Sequence, residues 1–139
     1  MSATIWNPGA LGGTLTSKLV KEIALSDMVT SLVPANGVGY FRVYAPFRVL
    51  AFYASLFAVS SSGLVTVDIN VNAVSILVTK LSIDANEKDN TTAATPYIIT
   101  GSPAPSFYDF TIGQEVSFDI DASGTGAKGL ILYMVGFDL

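Results

Sequence analysis

Asp68, Asp119 and Asp121 stand on the polar side of alternating segments and are the residues of this sequence whose types and spacing come nearest to catalysis. Two carboxyls facing across a cleft could divide acid and base duties in glycoside hydrolysis. The run Asp119, Asp121, Gly124 also has D-x-D-x-x-G spacing, which gathers hard oxygen ligands before a sharp turn, as in a calcium loop. Neither arrangement is complete. No cleft is legible around the aspartates; Ser123 stands at loop position five, and Leu130 stands at position twelve, where a bidentate acid is required. The second acidic group, Asp84, Glu87 and Asp89, contains Lys88 and reads as a solvated loop. The glycine-rich segment Gly124–Gly129 could cradle phosphate, but it matches neither phosphate-loop spacing and has no following helix to supply an amino-terminal dipole. Asn90-Thr91-Thr92 matches a glycosylation acceptor, which is uninformative without a secretory signal.

The 139 residues contain no His and no Cys. The commonest general base, the thiol nucleophile and the usual zinc, copper and haem ligands are therefore missing. No catalytic residue, metal-ligand set or cofactor is assigned, and the chain does not read as an enzyme. Half of the residues are apolar and 13% are charged, against about 25% charged in ordinary soluble domains. A chain so short of polar surface is expected to cover part of its exterior with other protein, as a homo-oligomer or a subunit of an assembly. Its net charge of -4 argues against nucleic-acid phosphates as a partner. The uncharged stretch Val49–Val67 is nominally long enough to cross a membrane, but Ser60, Ser61, Ser62 and Gly63 divide it with strand–turn–strand spacing. No membrane partner is expected. The amino terminus shows no basic segment followed by an apolar core, so no signal peptide is read.

From Val38 onward the apolar pattern has period two or short continuous runs rich in Val, Ile, Phe and Tyr, which defines an all-β chain. Candidate strands are Gly39–Tyr44, Phe47–Ala58, Leu64–Val71, Ser75–Ile83, Pro96–Thr100, Glu115–Ala122 and Leu130–Phe137, with an eighth before Val33. Asn36-Gly37 is expected to form a tight turn, Ser60–Gly63 a hairpin loop, and Ser123–Gly129 the close of the last hairpin. Eight strands at this spacing imply two antiparallel sheets packed face to face. Leu64–Val71 and Glu115–Ala122 alternate cleanly and should each have one wet face, whereas Val49–Ala58 and Leu130–Val135 are apolar on both sides. That last pattern marks strands buried on both sides, or covered by a neighbouring subunit, and the second option fits the charge deficit. Phe41, Tyr44, Phe47, Phe52, Tyr53 and Phe57 crowd one region. Adjacent Phe52 and Tyr53 must point opposite ways.

Residues 1–33 are read as an N-terminal arm or extended segment, and residues 34–139 as the sandwich domain. Met1–Ser17 carries isolated anchors, Ile5, Trp6, Leu11 and Leu15, among Pro8 and three glycines, and cannot bury them within itself. These four side chains are the candidate partner-binding residues, with Trp6 dominant. Residues 18–33 have no clear period.

The stretch Gly63–Ile99 resembles a β-domain that recurs in virion proteins of tailed bacteriophages, among head decoration proteins and on tail fibres. The resemblance lies in V-D-I-N-x-N at Val67–Asn72, S-I-L at Ser75–Leu77, L-x-I-D at Leu81–Asp84, and the later F-D-I-D and G-x-x-A-x-G-L of Phe118–Leu130, in that order. With Phe41-Arg42 and Pro46 as entry strand it extends over about Val38 to Gly136. It departs at Asn72-Ala73, where Asn-Gly would be expected; Ala resists positive φ, which argues against a two-residue type I′ turn there. The resemblance implies a jelly-roll-like sandwich and a structural role on the virion, without catalytic residues. The expected function is that of a capsid decoration or cement protein on the phage head, homo-oligomeric with a trimer favoured, bound to the major capsid protein and made in the host cytoplasm. The alternative is a tail-fibre module that binds a receptor or glycan.

Overall fold

The computed structural model describes residues 18–139. The arm anchors Ile5, Trp6, Leu11 and Leu15 lie outside the described residues. Eleven strands are formed among those described, with no helix: β1 Lys18–Ala24, β2 Ala35–Arg42, β3 Phe47–Ala58, β4 Val65–Val71, β5 Val74–Ser75, β6 Leu77–Thr79, β7 Leu81–Ile83, β8 Ile98–Ile99, β9 Tyr108–Phe110, β10 Glu115–Ser123 and β11 Lys128–Asp138. Two antiparallel sheets pack as a sandwich. One has the order β1-β11-β3-β9; the other has the order β2-β10-β4-β5, with β7 also on β4. Taking β5 to β7 as one interrupted strand, first and last strands are neighbours and successive strands alternate between sheets except at the hairpin from β4 to β5, which is jelly-roll wiring. β6 and β8 form a separate two-stranded ribbon.

The core lies between the sheets. β3 sends Phe47, Val49, Phe52, Ala54 and Leu56 inward, β11 sends Leu130, Leu132 and Met134, and β4 and β10 answer with Val65, Val67, Ile69, Val116, Phe118 and Ile120. At one end Phe41 sits 6.1–6.4 Å from the rings of Phe47, Phe110 and Phe118, and Phe47 stacks on Phe110 at 4.9 Å. Full burial of such side chains contributes about 1.5–3 kcal/mol each. Phe52 points inward and Tyr53 outward, as the alternation requires.

Several expected turns take other forms. Asn36-Gly37 lies inside β2, and Gly37, at φ 66°, marks an irregularity opposite β10 rather than a turn ahead of the strand. Ser60–Gly63 and Ser123–Gly129 are arches that carry the chain from one sheet to the other, since β3 and β4 share no pairing and neither do β10 and β11. Turn-forming residues mark where the chain reverses; whether it returns beside its predecessor or across the core is settled by packing. Asn72-Ala73 adopts φ 50° and 68° between paired Val71 and Val74, so the two-residue turn with both φ positive forms despite Ala73. Ser75–Ile83 is broken into three short strands, and β9 was absent from the expected set. β1 is the strand expected before Val33; it pairs with β11 from Lys18↔Phe137 to Ala24↔Ile131. The sandwich therefore takes in a strand from the segment 1–33 assigned to the arm.

Candidate functional site

The three aspartates do share one surface. β4 and β10 run antiparallel with Asp68 opposite Asp119, and their outer side is crossed by fixed hydrogen bonds. Asp68 is 6% exposed; its Oδ1 accepts from Ser75 Oγ at 2.6 Å and from the Ile69 amide at 2.9 Å, and its Oδ2 accepts from Lys80 Nζ at 2.8 Å. The polar face expected to be wet is covered here, because Ser75 and the Lys80 stem fold over it. Lys80 Nζ also lies 3.1 Å from Ser75 Oγ, the spacing of a nucleophile and its base. The chemistry does not follow. An ammonium donating to both Asp68 and Ser75 has no lone pair to offer, and the Ser75 proton is directed at Asp68.

Asp119 is engaged as well: Oδ1 accepts from the Gly37 amide at 2.8 Å and Oδ2 from Asn70 Nδ2 at 2.9 Å. Burial, followed by the charge of nearby Asp68, pushes the Asp121 carboxyl above the usual carboxylate range. Among the described residues no group of three or more potential ligands could hold a metal ion. Asp68, Asp119 and Asp121 thus meet on one sheet, and the first two serve as structural acceptors.

The other sequence candidates are absorbed in the same way. Ser60 is fully buried and its hydroxyl ties the two arches together, donating toward Ser62 O and Gly63 O and accepting from the Thr125 amide at 3.0 Å. That bond occupies an amide a phosphate would need, and a Cβ on Gly124 would stand 2.2 Å from Ser60 Oγ. Asn90 is part of an edge seal. Its Oδ1 accepts from the Ala54 amide at 2.9 Å and its Nδ2 donates to Phe52 O at 3.3 Å, while the Phe52 amide donates to Tyr97 Oη and the Leu56 amide to Lys88 O. The Asp84–Thr95 segment, expected to be merely solvated, supplies the partners that β3 lacks beyond its short pairing with β9.

Among the described residues, the outer face of the four-stranded sheet carries exposed apolar side chains. Cross-strand register sets its rows: Ala24–Ile131–Ser55, Glu22–Tyr133–Tyr53, Val20–Val135–Ala51 and Lys18–Phe137–Arg48. The middle is apolar. Val20 is 53% and Tyr53 39% exposed, and the Tyr133 hydroxyl is spent on Ser55 Oγ at 2.9 Å. The register between β3 and β11 slips where Val135 faces Ala51 and Gly136 faces Val49. A Cβ on Gly136 would sit 1.7 Å from Arg48 O, so glycine alone permits this approach. The slip leaves Leu50 as the extra residue of a bulge; Val49 and Phe52 are both buried, so Leu50 and Ala51 lie together on the outer side, with Leu50 51% exposed. Beside it is a shallow hollow of about 400 Å³ lined by Val20, Tyr53, Tyr133, Val135 and Asp89 among others. At the Lys18 end, Arg48 forms a two-pronged pair with Asp109 at 2.7 and 2.9 Å and lies over the Phe107 ring at 3.9 Å.

The doubly apolar composition of β3 and β11 was the sequence signal for this face. The bulge at Leu50 was not legible, since nothing in the local pattern marks a slip in cross-strand register. No protein-family model matches the chain, and no curated protein matches it.

Proposed function

We propose that this chain is a structural virion protein of a tailed bacteriophage, a capsid decoration protein that binds across major-capsid subunits on the head surface. The observation that carries the proposal is the ordered set of motifs from Val67–Asn72 to Phe118–Leu130. Jelly-roll wiring supports it, being common in capsid proteins, although lectins share it. So does the commitment of Asp68, Asp119, Ser60 and Asn90 to internal hydrogen bonds. A protein of this kind acts by mass action: binding only the assembled state, it stabilises that state.

Two measurements test the proposal. Mass spectrometry of separated heads and tails should place the chain with heads; recovery from tails alone overturns the decoration role. Full-length protein should co-sediment with undecorated heads, and Trp6→Ala should weaken that binding about tenfold or more while thermal unfolding is unchanged. Unchanged binding by that variant removes the arm from the attachment.

A further inference from the structure

We infer that the outer face of the β1-β11-β3-β9 sheet is a docking surface for a second copy of this chain, joined face to face about a two-fold axis. The inference does not depend on the virion reading.

The face is shaped to receive itself. Leu50 is a knob raised by the bulge, and the hollow bounded by Val20, Tyr53, Tyr133 and Val135 lies one row further along the same strands. A two-fold axis in the plane of contact, running across the strands along the Val20–Val135–Ala51 row, sends each Leu50 into the hollow of the other copy. The charges agree with that axis. Lys18 lies two residues to one side of Val20 and Glu22 two residues to the other, both exposed and both on the outward side of β1. Rotation about the Val20 row sets Lys18 of each copy opposite Glu22 of the other. It also carries the Arg48 end of β3 toward the end that holds Asp89. An axis along the strands instead would set Lys18 over Arg48, already paired with Asp109, and Glu22 over Tyr53, leaving both β1 charges without an opposite partner. A face that meets itself is isologous and closes at two chains. The surface thus assigns a dimer, where the resemblance to virion proteins had favoured a trimer.

Sedimentation equilibrium of the full-length chain, without capsids, tests this at about 50 µM protein. The expected mass is twice 14.6 kDa. Leu50→Asp, at an exposed bulge position, should weaken association by about thirtyfold or more while leaving the circular dichroism spectrum unchanged. Lys18→Glu and Glu22→Lys should each weaken it about threefold, and the double exchange should restore it. A monomer, including one whose own arm covers the face, overturns the inference, and so does a threefold mass. A dimer indifferent to Leu50→Asp, or a double exchange without rescue, overturns it as well.

Discussion

Ala73 is the residue most at odds with its own backbone. At φ 68° its Cβ crowds the following carbonyl, which costs an L-residue about 1–2 kcal/mol, and the turn is held by the pairing of β4 with β5 and by the two hydrogen bonds between Asn72 and Glu115. Replacing it with glycine removes the strain and gives back part of the gain through greater freedom of the unfolded chain. Ala73→Gly is therefore expected to stabilise the protein by about 0.5–1 kcal/mol in urea unfolding, with an unchanged m-value. The carboxylates set a second residue-scale behaviour. The Thr30 and Val29 amides lower the Asp27 pKa, Thr91 lowers that of Asp89, and the Arg48 guanidinium lowers that of Asp109. Each group binds protons more weakly folded than unfolded, so its contribution is complete above the ordinary carboxylate range and drains as pH falls through the depressed folded values. Asp121, shifted upward, has the opposite sign. With three groups against one, melting temperature should hold steady from pH 7 to about 5 and fall below about 4. In Asp109→Asn the acid fall should be shallower than in the parent.

At the scale of elements the vulnerable place is the edge of β3. β9 pairs only with Phe47–Val49, and a bare strand edge over the following residues would recruit other chains. The Asn90 amide supplies one donor and one acceptor to Phe52 and Ala54 in the manner of a neighbouring strand. Asn90→Ala leaves both backbone groups without a protein partner and should cost about 2 kcal/mol. It should also raise aggregation on mild heating, read by light scattering. The same contact makes Asn90 unsuited to carry a glycan, because the amide nitrogen that would be modified is donating to Phe52.

For the molecule as a whole, stability comes from one core between two sheets, closed at one end by the arches joined through Ser60 and at the other by the Phe41 aromatic cluster. The acidic surface has its own internal partners in Lys80, Asn70 and the Gly37 amide. Thermal unfolding in excess EDTA is accordingly expected to match unfolding in millimolar calcium, within about a degree. A rise of several degrees with calcium would show that Asp119 and Asp121 form a site with ligands beyond those described.

The sequence by itself determined the class of fold and the apolar face of the alternating strands. Period-two alternation sends Val65, Val67 and Ile69 to one side whatever the partner strand, and β3 and β11, apolar on both sides, pointed to an outer face with exposed apolar side chains. Tertiary structure alone decided which strands are neighbours, that the two glycine- and serine-rich loops cross between sheets, and that a loop full of charge seals an edge. It also decided that Asp68 is buried against Lys80, and that Leu50 stands out from the face where Gly136 lets the backbones close. Alternation is a property of one strand, set by its own dihedral angles. Register, pairing and the partners of a polar side chain depend on residues distant in sequence, and only the packed core brings those together.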